Sequence, residues 1–212
     1  CAVAPCRTSR KGGPMLTFDP VAHRYFWNGQ PVPSVTQILA PLTDLSFVDP
    51  DVLRRASAFG TAVHYACELH DTGRLDEEAL DPELLPYLNG WRKFCSEHAC
   101  VWELIEERVY HPTLRYAGTL DRRGNVDGYP SMVDIKSGTS LYPSVGPQLA
   151  AYTHASSPTP AAYRRYAVRL YPDGYELKQY TSAIDWPTFA SLITIRNFCN
   201  QHRITMKEIS HA

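Results

Sequence analysis

Two segments in the middle of the chain limit what it can fold into more than any other part of the sequence. Residues 118–121 (GTLD) end an alternating stretch that is typical of a β-strand, and residues 134–138 (DIKSG) follow the β-forming pair Met132 and Val133. Residues 123–128, between the two segments, are rich in turn formers. The sequence therefore predicts a β-hairpin whose strands carry both segments.

The predicted hairpin brings ionisable side chains together on one patch of a sheet. Pairing of the strands places Asp121 beside Asp134, and Asp134 and Lys136 point to the same face because side chains alternate along a strand. Two carboxylates this close repel each other, and a divalent cation is the usual reason to keep them together. Lys136 is a poor metal ligand, but its ammonium can hold a water or stabilise charge on a phosphate beside the metal.

A histidine motif precedes the hairpin. Residues 60–64 (GTAVH) lie on a helix that is predicted over residues 49–69. Gly60 costs such a helix about 1 kcal/mol relative to alanine, which a close approach to a backbone or a ligand would offset. His64, one turn further on, lies on the same side of the helix. Taken alone, His64 would be interpreted as a partly buried histidine that bonds a neighbouring carbonyl.

Two further polar motifs lie on either side of the hairpin. A strand is predicted from Trp102, and its Glu107 is preferred over Glu106 as a site residue because it lies two residues before Val109 in an alternating run. After the hairpin, Gln148 and Tyr152 are one turn apart on a helix predicted over residues 142–154 and face the same way. The alternative for this helix is a plain amphipathic element with Tyr152 in the core.

In order and spacing, these motifs resemble those of the PD-(D/E)xK nuclease superfamily, and within it the RecB-like, phage-type exonucleases. The resemblance covers roughly residues 33–152, including the family's histidine helix, its second and third motifs in the hairpin, and its trailing glutamine–tyrosine helix. It implies an α/β fold with a central mixed β-sheet flanked by helices, as in the restriction-endonuclease-like core. It also implies hydrolysis of phosphodiester bonds in DNA, with an exonuclease favoured.

The resemblance also implies roles for individual residues. The catalytic residues expected from it are Lys136, Asp121, Asp134, Gln148 and Glu107. One or two Mg²⁺ or Mn²⁺ ions would be held by His64, Asp121, Asp134 and the backbone carbonyl of Ile135. Contacts with nucleic acid are expected at Tyr152 and Ser137. Arg54 and Arg55, from their place on the histidine helix, are candidates for phosphate contacts, with plain surface charge as the alternative. The metal would activate a water, and Lys136 would orient that water or neutralise charge on the phosphorus.

Composition limits the class of protein. The 212 residues are 44% hydrophobic, enough for one well-filled core, so a single domain is expected over residues 15–212. Residues 1–14 are expected to be a flexible leader or an addition to the natural chain. The formal net charge of −1 means that a DNA-binding surface must concentrate its positive charge locally. Arg122 and Arg123 are expected to balance local charge, and the acidic segment 71–83 to be solvated.

The cysteines and the hydropathy pattern bear on two further expectations, an iron–sulfur cluster and the cellular compartment. Some RecB-like relatives hold an iron–sulfur cluster with four cysteines that mostly follow the core; only Cys199 lies there, so no cluster is expected. No stretch approaches a membrane span, and the chain is expected to be cytoplasmic in a bacterium or a phage-infected cell, with a mitochondrial or nuclear location left open.

The remaining elements follow from local patterns. An N-terminal hairpin is predicted over residues 16–32 around Asn28 and Gly29, with Ser34 as the N-cap of a short helix. Two more strands are predicted at residues 162–170 and 175–181. A closing helix over residues 184–202 is predicted to place a stripe of apolar side chains in the core. That stripe comprises Trp186, Phe189, Leu192, Ile195 and Phe198.

Two other functions use the same residues. One is a structure-specific or nicking endonuclease with the same site, and the other is a catalytically silent DNA-binding or inhibitory module on the same fold. The intact set of one histidine, two aspartates and one lysine argues against the silent module. Single-stranded DNA and duplex ends both remain open as partners, as do a homo-oligomer and a recombination partner protein.

Overall fold

The computed structural model describes residues 15–43 and 47–205, so the predicted leader at residues 1–14 lies outside the described residues. The strands are β1 (Leu16–Asp19), β2 (Arg24–Trp27), β3 (Gln30–Val32), β4 (Cys100–His111), β5 (Tyr116–Val126), β6 (Tyr129–Lys136), β7 (Arg164–Tyr171) and β8 (Gly174–Gln179). The helices are α1 (Val35–Leu39), α2 (Pro50–Asp71), α3 (Leu85–Glu97), α4 (Val145–Ser156) and α5 (Asp185–His202), with 3₁₀ turns at Ala40–Leu42 and Pro160–Ala162.

The N-terminal strands form a small antiparallel sheet of their own, in the order β1-β2-β3. Asn28 and Gly29 turn the chain between β2 and β3 with φ values of 50° and 77°, which confirms the predicted tight hairpin. The predicted N-cap is also confirmed: the Ser34 hydroxyl accepts the Gln37 N–H at 3.0 Å, and the Gln37 side chain accepts the Ser34 N–H at 3.1 Å. This capping box satisfies two backbone donors that α1 would otherwise leave free.

The central sheet has the order β4-β5-β6-β7-β8, and all neighbours are antiparallel except the parallel pair β6 and β7. One apolar core, with Leu149 and Phe189, joins this sheet to α1, α4 and α5. A second core, with Trp91 and Phe94, joins it to α2 and α3. The predicted α/β fold with a mixed central sheet flanked by helices is confirmed at this level.

The predicted hairpin exists, but its turn is shorter than expected. Only Asp127 and Gly128 form the turn, with φ values of 52° and 79°. Gly124 does not turn the chain; it pairs with Ser131 inside the ladder. A Cβ on Gly124 would lie 2.1 Å from the Val101 carbonyl oxygen, so this glycine permits a close approach of β4 and β5.

The predicted core face of α5 is only partly correct. Phe189 is fully buried, as is Ile193, which was not predicted. Ile195 and Phe198 are 48% and 55% exposed, so their assignment to the core was wrong. At about 100° per residue, Phe198 lies about 180° around the helix from Phe189, on the opposite face.

None of the helices within residues 15–43 and 47–205 is both long and apolar enough to span a membrane.

Candidate metal centre

Helix α2 carries His64 to the sheet. The helix begins at an Asp49 cap whose carboxylate accepts the backbone N–H groups of Asp51 and Val52 at 2.8 and 3.3 Å. A Cβ on Gly60 would lie 3.4 Å from the Ser137 hydroxyl, so the helix passes close to the end of β6. One turn beyond Gly60, the Nε2 atom of His64 lies 2.9 Å from the carbonyl oxygen of Ile135.

The other imidazole nitrogen of His64 faces two carboxylates. Its Nδ1 atom is 3.5 Å from Glu106 Oε1 and 3.6 Å from Asp121 Oδ1. One ligand atom from each of these three residues lies within 4.8 Å of the other two, which makes them a group that could hold a metal ion. In protein metal sites, a ligating histidine commonly donates its second N–H to a backbone carbonyl. The contact between His64 Nε2 and the Ile135 carbonyl has this form. The expectation that this carbonyl is itself a metal ligand stays a prediction.

The opening of the hairpin positions Asp121. The β5–β6 ladder ends at the pair Arg122 and Val133, one step before Asp121 and Asp134 would pair. Where the ladder stops, Asp121 Oδ2 accepts the backbone N–H of Ile135 at 2.6 Å. The predicted proximity of the two aspartates therefore holds.

Asp134 is directed toward Lys136 and α4 instead of toward His64. Its Oδ2 atom is 2.7 Å from Lys136 Nζ, and its Oδ1 atom accepts a hydrogen bond from Gln148 Nε2 at 2.9 Å. Lys136 Nζ also reaches Gln148 Oε1 at 3.5 Å. Gln148, which was expected to be a catalytic residue, thus contacts both Asp134 and Lys136, whereas Asp134 lies outside the three-residue group.

Burial and mutual repulsion change the protonation of this cluster. Burial raises the pKa of Asp121, and it raises that of Asp134 to about 6 even though the charge of Lys136 lowers it. Burial lowers the pKa of His64, but the charges of Asp121 and Glu106 outweigh it and raise the pKa to about 9. Burial also lowers the pKa of Lys136, but Asp134 and Asp121 leave it raised overall. The cluster therefore attracts positive charge, which a divalent ion would supply.

Glu107 was predicted to be the acidic site residue of β4, but it does not reach the cluster. Its neighbour Glu106 takes that place. Glu107 is exposed. A regular strand would give Glu107 the same face as Val109, which packs against α1, α4 and α5, whereas His64 comes from α2. Glu106 has a left-handed backbone with a φ of 48°, and it lies between the pairs Ile105–Arg122 and Glu107–Leu120, opposite Asp121. This irregularity turns its side chain toward His64.

The residues predicted to contact nucleic acid differ in their exposure to solvent. Arg54 and Arg55 are exposed on the first half of α2, where Arg54 pairs with Asp51, and Ser137 is partly exposed. Tyr152 is only 5% exposed. The structure therefore places Tyr152 in the core of the protein, not on a nucleic-acid-binding surface.

Two charged residues beside the cluster form a buried pair. Arg122, which was expected to balance local charge, does so in the interior, where its side chain is 0% exposed. Asp71 was expected to be solvated, but its side chain is only 4% exposed, so that expectation was wrong. Arg122 Nε donates to Asp71 Oδ2 at 2.7 Å, and Arg122 Nη1 donates to Glu106 Oε1 at 3.0 Å. The pairing joins residues far apart in the chain, so no local pattern indicates it.

No protein-family model matches the chain, and no curated protein matches it either.

Proposed function

We propose that this protein is a metal-dependent DNA exonuclease of the PD-(D/E)xK, RecB-like type, acting in DNA recombination, repair or phage DNA processing. The observation that carries the proposal is the meeting of His64, Glu106 and Asp121 in one group of ligand atoms at the open end of a hairpin. The pair Asp134 and Lys136 lies directly beside that group. Carboxylates and an imidazole can hold a metal that assists hydrolysis of a phosphodiester, and an adjacent ammonium can stabilise charge on the phosphate.

The donor set fits Mg²⁺ or Mn²⁺. Two carboxylates are hard ligands that suit both ions, and the imidazole favours Mn²⁺ more than an all-oxygen site would. His64, Glu106 and Asp121 would hold the ion, with the Ile135 carbonyl keeping the imidazole in orientation. When bound, the ion would polarise the phosphate and lower the pKa of a coordinated water.

Lys136 supplies the positive charge that the chain itself brings to the reaction. Its raised pKa keeps the ammonium protonated at neutral pH, because Asp134 and Asp121 both attract the charge. Protonated, it donates to a phosphate oxygen and stabilises the negative charge that develops during hydrolysis. Gln148 bonds both Asp134 and Lys136, so it fixes the direction of the ammonium.

The substrate would be recognised through its backbone. The side chains of the site are suited to contact the charged phosphates and not the bases. Contacts with phosphates position a nucleic acid without reading its sequence. Arg54 and Arg55 are exposed on the helix that carries His64, so we assign them to phosphate contacts. Because such contacts with phosphates release counterions, binding is expected to weaken as salt is raised.

Digestion of end-labelled DNA tests the proposal. Linear single-stranded, linear duplex and closed-circular DNA would be incubated with Mg²⁺ or Mn²⁺ and wild-type protein, Lys136→Ala or Glu106→Ala. Glu107→Ala is the matched control, because it removes a neighbouring carboxylate that lies outside the cluster. We expect loss of linear DNA only, abolished by the first two variants and retained by the control.

Each other result points to a different function. Cutting of closed circles by the wild type would favour the structure-specific or nicking endonuclease. Binding of DNA without cleavage, in the presence of either metal, would favour the silent DNA-binding module. Equal activity of Glu106→Ala and Glu107→Ala would contradict the ligand set described above.

A further inference from the structure

A buried chain of polar contacts connects the candidate metal centre to α2 and α3. The Trp91 indole N–H donates to Asp71 Oδ1 at 2.9 Å, and the other oxygen of Asp71 accepts from Arg122 Nε at 2.7 Å. Arg122 Nη1 then donates to Glu106 Oε1 at 3.0 Å. Through Glu106 the chain of contacts reaches His64, whose Nδ1 atom is 3.5 Å from the same Oε1 atom.

Stability of the fold is a weak reason for this arrangement. Arg122 is 0% exposed, and a buried ion pair often stabilises a protein no more than apolar side chains of similar volume would. The Nη2 atom of Arg122 is buried and has no hydrogen-bond partner among the described residues, so the guanidinium is not fully satisfied. The reason for burying this arginine is therefore sought at its contacts with the site, which are those with Glu106 and with the Asp121 carbonyl.

Glu106 needs an anchor. It lies at an irregular point of β4, where φ is 48°, and its side chain is 22% exposed, so the strand and its surroundings do not by themselves fix the carboxylate. Arg122 contacts the same Oε1 atom that faces His64. Arg122 also donates to the Asp121 carbonyl at 2.7 Å, which holds the neighbouring stretch of β5. One guanidinium thus bonds two of the three residues that could hold the ion.

We propose that Arg122 is a positioning residue for the metal centre, which holds Glu106 in the orientation that allows it to share an ion with His64 and Asp121. This inference rests on the proposed function, because it requires that the cluster binds a divalent cation. Residues that orient metal ligands in this way typically change metal affinity by about 10–100-fold when they are replaced.

The test is a double-mutant cycle read by Mn²⁺ binding. Isothermal titration of Mn²⁺ into the chelator-treated 212-residue chain would be compared for wild type, Arg122→Lys, Glu106→Gln and the double variant. We expect Arg122→Lys to weaken binding about 10–100-fold. In the Glu106→Gln background the same change should add less than about threefold, because Arg122 then has no carboxylate to orient.

Asp71→Asn is the control for a purely structural effect. It disturbs the same buried pair on the side away from the metal centre and keeps an acceptor for the Trp91 indole. We expect it to lower the melting temperature as Arg122→Lys does, but to leave Mn²⁺ affinity within about threefold of wild type. Should Arg122→Lys fail to fold, the double variant Asp71→Asn with Arg122→Met removes both charges together and takes its place in the titration.

The outcomes separate this inference from the function on which it rests. Tight Mn²⁺ binding by both wild type and Arg122→Lys would overturn the positioning role and leave the metal centre standing. An equal loss of affinity in Asp71→Asn and Arg122→Lys would overturn it as well, because the effect would then be structural. Absence of Mn²⁺ binding by the folded wild type would overturn the metal centre and, with it, this role.

Discussion

Gly118→Ala should destabilise the protein, although alanine usually stabilises a position whose backbone it can adopt. A Cβ at this position would lie 2.7 Å from the Cε1 atom of Tyr152 and 3.2 Å from the Cγ2 atom of Val35. Neither neighbour has room to move, because Tyr152 is 5% exposed and Val35 is 0% exposed. Overpacking of this kind typically costs about 1–3 kcal/mol.

The expected change can be measured as a melting temperature. For a chain of this size about 1 kcal/mol lowers the melting temperature by about 2–4 °C, so Gly118→Ala should lower it by about 2–12 °C. Gly138→Ala is the matched control, because a Cβ at Gly138 would meet nothing within 4 Å. That control should be neutral or stabilise the protein by up to about 1 kcal/mol, since it reduces the freedom of the unfolded chain.

A second variant identifies the clash as the cause. Tyr152→Leu removes the ring that Gly118→Ala would strike, so the double variant should be more stable than the two separate losses imply. Because Gln148 lies one turn before Tyr152, displacement of α4 by Gly118→Ala should also reduce metal-dependent cleavage. A melting temperature for Gly118→Ala at or above that of the wild type would refute the packing argument.

Three further predictions concern protons, metal and catalysis. Burial lowers the pKa of His154, and the charges of His111 and Arg165 lower it further. The unfolded chain therefore binds more protons than the folded chain below about pH 6.5, and the free energy of unfolding should fall as pH falls through that value. Melting curves from pH 8 to 5 should show a smaller loss of stability in His154→Phe than in the wild type. Mn²⁺ at about 100 times its dissociation constant should stabilise the wild type by about 2.7 kcal/mol, and thermal denaturation with and without EDTA should show no such gain in Asp121→Asn. Lys136→Ala should lower the cleavage rate by about 10²–10³-fold while Mn²⁺ affinity, measured by titration, changes far less; an equal loss of both would contradict its role in stabilising charge.

Local sequence signals predicted the elements of this fold well. Asn28 and Gly29 formed the expected turn, and Ser34 capped α1, because both signals act through atoms only a few residues apart. The hairpin at the site was also predicted, and its Asp127-Gly128 turn sets the register that brings Asp121 opposite Asp134. Where a short motif determines the geometry, the sequence is sufficient.

Contacts between distant residues were beyond these signals. Glycine is common in turns, so Gly124 was assigned to one, but its role is to let the backbone of Val101 approach across the sheet. Alternation favoured Glu107, but a left-handed residue at Glu106 breaks the alternation. Asp71 lies in an acidic stretch that is typical of a solvated loop, and only the tertiary fold buries it against Arg122.

The irregularity at the site has a common structural origin. Leu120 packs in the core on the α4 side of the sheet, whereas Arg122, two residues later, lies against Trp91 on the α3 side. A regular strand would place both side chains on one face, so the alternation of β5 is broken at Asp121. The left-handed Glu106 lies opposite that break, and both carboxylates turn toward α2 there. The feature that defeated prediction by alternation is therefore the one that assembles the candidate ligands, and metal binding is the property that would explain why the sheet tolerates it.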